Sequence, residues 1–278
     1  MSMEMFGADA GTYLFWFAAV GFAGTVGGLL AGLLGVGGGI VIVPVLYHIF
    51  SAVDVAEPIR MKVAVATSLA TIIATSSVSI RSHYRRGAVD DALLRMWWLP
   101  ILVGVVCGTI IGGYVNGRVL SLVFAVVALL VAVRMMLSGK ATAFYDGFPN
   151  AFAKWLTGIL VGLISALMGI GGGTLSVPIL SAFGFDIRRA VGTAAAIGFI
   201  IAIPGTLGYI ISGWNAPDLP PFSLGYLNWA GALVLVPLTM AMAPLGARLA
   251  HSIPRRALQV CFAVFLAASS LRMFYDLI

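Results

Sequence analysis

Gly35-Val36-Gly37-Gly38-Gly39-Ile40-Val41-Ile42-Val43-Pro44-Val45-Leu46 is written again, in outline, as Gly169-Ile170-Gly171-Gly172-Gly173-Thr174-Leu175-Ser176-Val177-Pro178-Ile179-Leu180. The shared pattern is G-x-G-G-G-x-x-x-V-P-x-L at an offset of 134 positions, and upstream Gly28 falls on Gly162 at the same offset. Seven identical places in a twelve-position pattern mark an internal duplication. Three consecutive glycines inside an apolar stretch cannot continue an ordinary helix, because each adds backbone entropy and removes packing surface. A helix break is therefore expected at each copy. At membrane depth the backbone groups freed by a break are tolerated only where they face protein or a polar cavity. Paired breaks in two halves point to a transporter's binding site.

Working outward, the rest of the chain is apolar enough to make the bilayer its solvent. It is 61% hydrophobic and 9% charged over 278 residues, with a mean hydropathy of +1.07, whereas soluble domains are about one quarter charged. Long apolar runs joined by short polar loops leave no room for a soluble domain. The net charge of +6 is carried by basic residues lying singly or in pairs between spans, so it reads as orientation bias and not as a nucleic-acid surface. Cys107 and Cys261 have no C-x-x-C spacing and read as small packing residues. The N-terminus carries Glu4 and Asp9 with no Lys or Arg before the first span, so that span is expected to be retained.

The first half, residues 1–140, reads as a broken element (12–34, then a short arm 40–50) followed by spans at about 63–80, 96–115 and 120–137. A mid-chain loop, Ser138 to Asn150, separates it from the second half, residues 141–278. There the order repeats: a broken element at 151–183, then spans at about 190–211, 224–249 and 257–275. Weaker echoes support the duplication, Val65-Ala66-Thr67 against Val191-Gly192-Thr193 and Arg134-Met135 against Arg272-Met273. The short arm is too short to cross about 30 Å of hydrocarbon at about 1.5 Å per residue, so each broken element is either one interrupted crossing or a hairpin that returns to its own side. Single crossings divide the 16 Lys and Arg evenly between the two sides, whereas re-entrant hairpins put three quarters of them on one side. The second arrangement obeys the positive-inside rule. It gives each half three full crossings, and hence two inverted repeats, in an all-α polytopic protein of about eight helical membrane elements. Both termini and the loop from Trp214 to Pro221 then lie outside, and the basic loop from Arg81 to Arg95 lies in the cytoplasm.

Hairpins entering from opposite sides would bring Gly37, Gly38 and Gly39 against Gly171, Gly172 and Gly173. The arms beginning at Ile40 and Thr174 would then present free backbone N–H groups and the positive ends of their dipoles, an anion site. Thr174 and Ser176 add hydroxyl donors on the second copy only. The plainer role for such glycines is close helix packing. Thr67, Thr71 and Thr75 share one helix face, with Ser68 beside it; they either line a path or bond carbonyls one turn back. Thr193 matches Thr67, and Ala194 stands where Ser68 does. Lys62 and Arg188 correspond as well, either as collectors of anions or as interfacial anchors. His48, His83 and His251 form no metal-ligand spacing, no Walker lysine follows the glycine runs, and no nucleophile, base or cofactor site is legible, so an enzyme is not expected. All ten Asp and Glu fall in loops, termini or span edges. An anion leaving a negative-inside cell gains about 2.3 kcal/mol per charge per 100 mV, so export would need no coupled ion.

Gly35-Val36-Gly37-Gly38-Gly39 with Val43-Pro44, its repeat at Gly169–Gly173 with Val177-Pro178, the stretch Ala66-Thr67-Ser68-Leu69 and the loop from His83 to Arg86-Gly87 resemble the TauE/SafE sulfite exporter family over nearly the whole chain. The resemblance implies a bacterial inner-membrane transporter of sulfite, organosulfonates or related sulfur anions. It leads to the expectation of a secondary exporter working by alternating access, with the lipid bilayer and a small anion as partners and a homodimer compatible with the sequence. An importer of an organosulfonate, an anion channel and a non-transporting membrane scaffold are the alternatives.

Overall fold

The computed structural model describes residues 10–34, 38–137, 147–250 and 255–277. Among them are ten helices: α1 (Ala10–Leu34), α2 (Gly39–Ala52), α3 (Glu57–Arg85), α4 (Asp91–Tyr114), α5 (Gly117–Leu137), α6 (Ala151–Met168), α7 (Gly172–Ala182), α8 (Ile187–Ser212), α9 (Trp229–Ala250) and α10 (Arg255–Tyr275). Six of these are long and apolar enough to cross a membrane, and shorter apolar helices include α2 and α7. Large apolar side chains such as Phe22, Ile110, Leu130, Leu207 and Leu233 stand exposed on the outer helix faces, the pattern of a protein solvated by lipid. Cys107 and Cys261 are also on outer faces, which corrects their reading as packing residues.

The two breaks fall where the glycines require them. Gly38 precedes α2 at φ 79° and Gly169 closes α6 at φ 67°, both in the left-handed region that a side chain disfavours. Side-chain caps set three more helix starts. Asp90 accepts from Leu93 N, Asn150 from Ala153 N, and Asp186 from Arg188 N and Arg189 N, each satisfying amides that a helix start leaves over. Helix α3 starts earlier and ends later than the span expected at 63–80, because Pro58 fits its first turn and the polar residues 57–62 and 81–85 remain helical. The expected span 224–249 begins instead with a small hairpin, β1 (Ser223–Leu224) and β2 (Leu227–Asn228), turning through Gly225 at φ 56°.

Helices α3 and α8 pack together at the centre and α5 packs on α10, while each glycine-broken pair packs on a helix of the other half: α1 on α9 and α6 on α4. Gly28 and Gly162, the matched glycines, make these two crossings close. A Cβ on Gly28 would stand 2.6 Å from Thr239 Cα of α9, and one on Gly162 would collide with the Ile101 carbonyl of α4. Contacts advance together along each pair. Gly24 and Gly28 meet Leu238 and Thr239, and Gly158 and Gly162 meet Trp97 and Ile101, so α1 runs in the direction of α9, and α6 in that of α4. The outer end of α7 returns to the start of α6, where Gly147 N donates to Phe183 O (2.8 Å) and Phe148 packs on Phe183 and Phe185.

Candidate functional site

The candidate site is built around the contact between the two breaks. A Cβ on Gly39 would lie 2.6 Å from Gly169 O and 2.9 Å from Ile170 Cα. Ser68 of α3 donates to the same Gly169 O at 2.7 Å. Gly172 packs against α8, where a Cβ would meet Ala194 O and Gly198 N, both at 2.6 Å. Only glycine allows backbone to approach backbone this closely. Gly38, Gly39, Ile40, Gly171, Gly172 and Gly173 are all buried. Gly37 lies outside the described residues.

Both short helices begin here without a side-chain cap. In α2 the amides of Val41 and Ile42 both bond Gly38 O, so those of Gly39 and Ile40 stand ahead of the first rung. The repeated Val-Pro has a matching effect one turn on. Pro44 and Pro178 lack the N–H that a helix would direct at Ile40 O and Thr174 O. Each break therefore frees donors and acceptors together. The second copy adds hydroxyls: Thr174 Oγ1 and Ser176 Oγ are buried with no partner among the described residues, as is Ser165 Oγ at the end of α6. Buried hydroxyls normally find one, so three near one helix break constitute unused hydrogen-bonding capacity.

The threonine stripe divides. Thr71 donates to Ser68 O, and Thr75 to Thr71 O and Ile72 O, which is bonding within their own helix. Thr67 and Thr193 are fully buried, with their hydroxyls engaged by other segments in one and the same role. Thr67 Oγ1 accepts from Asn228 N at 3.1 Å and Thr193 Oγ1 from Asp90 N at 2.9 Å. Each thus holds the residue just ahead of a spanning helix, α9 or α4. Asn228, not singled out from the sequence, also accepts from Gly231 N and donates to Pro221 O. An Asn directly before an apolar helical run is a helix-start signal and marks that position. Gly198 escaped notice too; a Cβ there would meet Ser76 Oγ at 2.9 Å and Gly172 N at 3.3 Å, and an isolated glycine in a span carries no signal that distinguishes it. The described carboxylates stay at helix ends and in loops, three of them paired: Glu57 with Arg118, Asp90 with Arg189, and Asp276 with Arg272.

The family model described as sulfite exporter TauE/SafE matches residues 20–273. A probable membrane transporter protein of Haemophilus influenzae is 35% identical over 251 residues, covering 90% of this chain and 95% of the relative. Probable membrane transporter proteins of Bacillus subtilis and Methanocaldococcus jannaschii are 28% and 24% identical, over 91% and 90% of this chain and 95% and 92% of their own lengths. No solved structure matches.

Proposed function

Because the chain belongs to the TauE/SafE sulfite exporter family of multi-pass membrane transporters, we propose that it is a secondary transporter exporting a small sulfur anion, sulfite or an organosulfonate, across the bacterial inner membrane by alternating access. The observation that supports this reading is the contact of Gly39 with Gly169 and Ile170: the uncapped start of α2 meets the end of α6 two residues ahead of the uncapped start of α7, whose hydroxyls are buried with no partner among the described residues. Helix starts and close backbone favour anions. The substrate-binding set is Gly37, Gly38, Gly39 and Ile40 from the first copy and Gly171, Gly172, Gly173 and Thr174 from the second. Ser68 joins it through Gly169, and Thr67 and Thr193 act from the helix starts they hold.

Residues 1–140 and 141–278 form inverted repeats in this reading, with α1–α2 and α6–α7 as hairpins that enter from opposite sides. Support comes from the exchanged pairs α1 on α9 and α6 on α4, from the return of Phe183 to Gly147, and from the matched roles of Thr67 and Thr193. Rocking one repeat against the other would open the tips to each side in turn. The termini lie outside.

The test is thermal stability of the detergent-purified protein with sulfite, sulfate, thiosulfate, taurine, an alkylsulfonate and chloride, followed by flux in proteoliposomes. A ligand that binds only the folded state at 100 times its Kd adds about 2.7 kcal/mol. Stabilisation by sulfite or a sulfonate but not chloride, with saturable efflux, is the expected result. Non-saturating flux would instead identify a channel, inward-only movement an importer, and no response from folded protein would overturn the anion reading.

A further inference from the structure

Lys62 lies on α3, five residues before Thr67 and six before Ser68, the side chain that holds the second break. An interfacial anchor would extend its ammonium toward water. Here α3 begins at Glu57 and carries Lys62 inside, where it is only 6% exposed. Nζ donates to Gly113 O in the last turn of α4 at 2.8 Å, and lies 3.5 Å from Tyr226 Oη and 5.1 Å from the Tyr226 ring centroid. All of these are neutral. Among the described residues no carboxylate pairs with Lys62, and Glu57, on the same helix, is engaged by Arg118. The carbonyl end of α4 offsets part of the charge, but a buried ammonium without a counter-ion is costly, and within membranes such groups mark pathways. Its repeat counterpart Arg188 is exposed, so burial of a cation is particular to this side.

The cover over Lys62 is the β1–β2 hairpin. Tyr226 N donates to Tyr209 O and Asn228 N to Thr67 Oγ1, which ties the hairpin to α8 and α3. Ser223, paired with Asn228 across it, has a buried Oγ with no partner among the described residues. An ammonium has three donors; Gly113 O takes one and Tyr226 Oη, at 3.5 Å, a longer second. A sulfite or sulfonate head presents three oxygens. We propose that Lys62 is a substrate-binding residue, the counter-charge for the transported oxyanion at a station beneath the β1–β2 hairpin, with the Tyr226 hydroxyl as a second donor. The station rests on the reading of the chain as an anion transporter and lies on the hairpin side of the glycine tips.

The experiment titrates sulfite into purified wild type, Lys62→Met, Lys62→Arg and Tyr226→Phe by calorimetry, with melting of the ligand-free proteins recorded alongside. Lys62→Met weakens sulfite binding by about thirtyfold or more, the scale of losing one partner of a buried charge pair, while Lys62→Arg restores most of it and Tyr226→Phe weakens it less. A purely structural lysine would lower melting and leave the sulfite Kd unchanged. Wild-type affinity in Lys62→Met overturns the station and leaves the anion reading standing; a wild type that binds none of the anions overturns both. Should Lys62→Met fail to fold, Ser223→Cys in a chain with Cys107 and Cys261 changed to Ser decides the matter. Sulfite then slows maleimide labelling of the new thiol, and labelling indifferent to sulfite that the protein binds overturns the station.

Discussion

Ser68 makes one hydrogen bond that joins the two halves, to Gly169 O at 2.7 Å. Replacing it by Ala leaves a buried carbonyl unsatisfied, at a cost of about 1–3 kcal/mol, and is expected to lower the melting temperature while weakening sulfite binding. Unchanged binding in folded Ser68→Ala would remove Ser68 from the site. Gly172 responds differently, since even one methyl group must displace Ala194 O or the Gly198 amide. Gly172→Ala is expected to destabilise by about 1–3 kcal/mol, as overpacking does, and to abolish anion-dependent stabilisation. The glycines were conspicuous in the sequence because they are consecutive and repeated. Their neighbours were not: nothing in a linear chain says that the atom opposite Gly39 is a carbonyl from 130 residues on.

Among the elements, α4 and α9 start from matched anchors. Thr193→Val removes the acceptor for Asp90 N, and Thr67→Val that for Asn228 N. Each is expected to cost about 1–3 kcal/mol through the amide left unpaired; denaturation of the two variants should give similar losses, and a neutral Thr193→Val would dissolve the equivalence. The breaks at Gly38 and Gly169 are local chemistry and were read from the sequence, whereas the caps Asp90, Asn150 and Asp186, equally local, were not singled out. The β1–β2 hairpin was not legible there. It is two residues per strand, too short to carry an alternation signal, and it is held by Tyr209 and Thr67 from distant helices.

For the whole molecule, the inverted-repeat reading predicts opposite sides for two loops. In a chain with Cys107 and Cys261 changed to Ser, Asn215→Cys should react with an impermeant maleimide in intact cells, and Arg86→Cys only after permeabilisation. The reverse result would invert the orientation, and labelling of both from one side would break the three-crossing count. Basic-residue asymmetry carries this expectation because it is a property of the sequence acting through the membrane potential and surface. Contact between the halves is another matter, since it depends on which helix surfaces meet.

The sequence by itself determined a helical membrane protein with two glycine breaks, each ahead of three long helices, because hydropathy and helix breaking act over a few residues at a time. Only the tertiary structure decided that Gly39 abuts Gly169, that Thr67 and Thr193 hold helix starts, and that Lys62 is buried under a hairpin. Those facts depend on side chains brought together across 100 residues or more, and packing in three dimensions chooses such partners from many that one apolar sequence would allow.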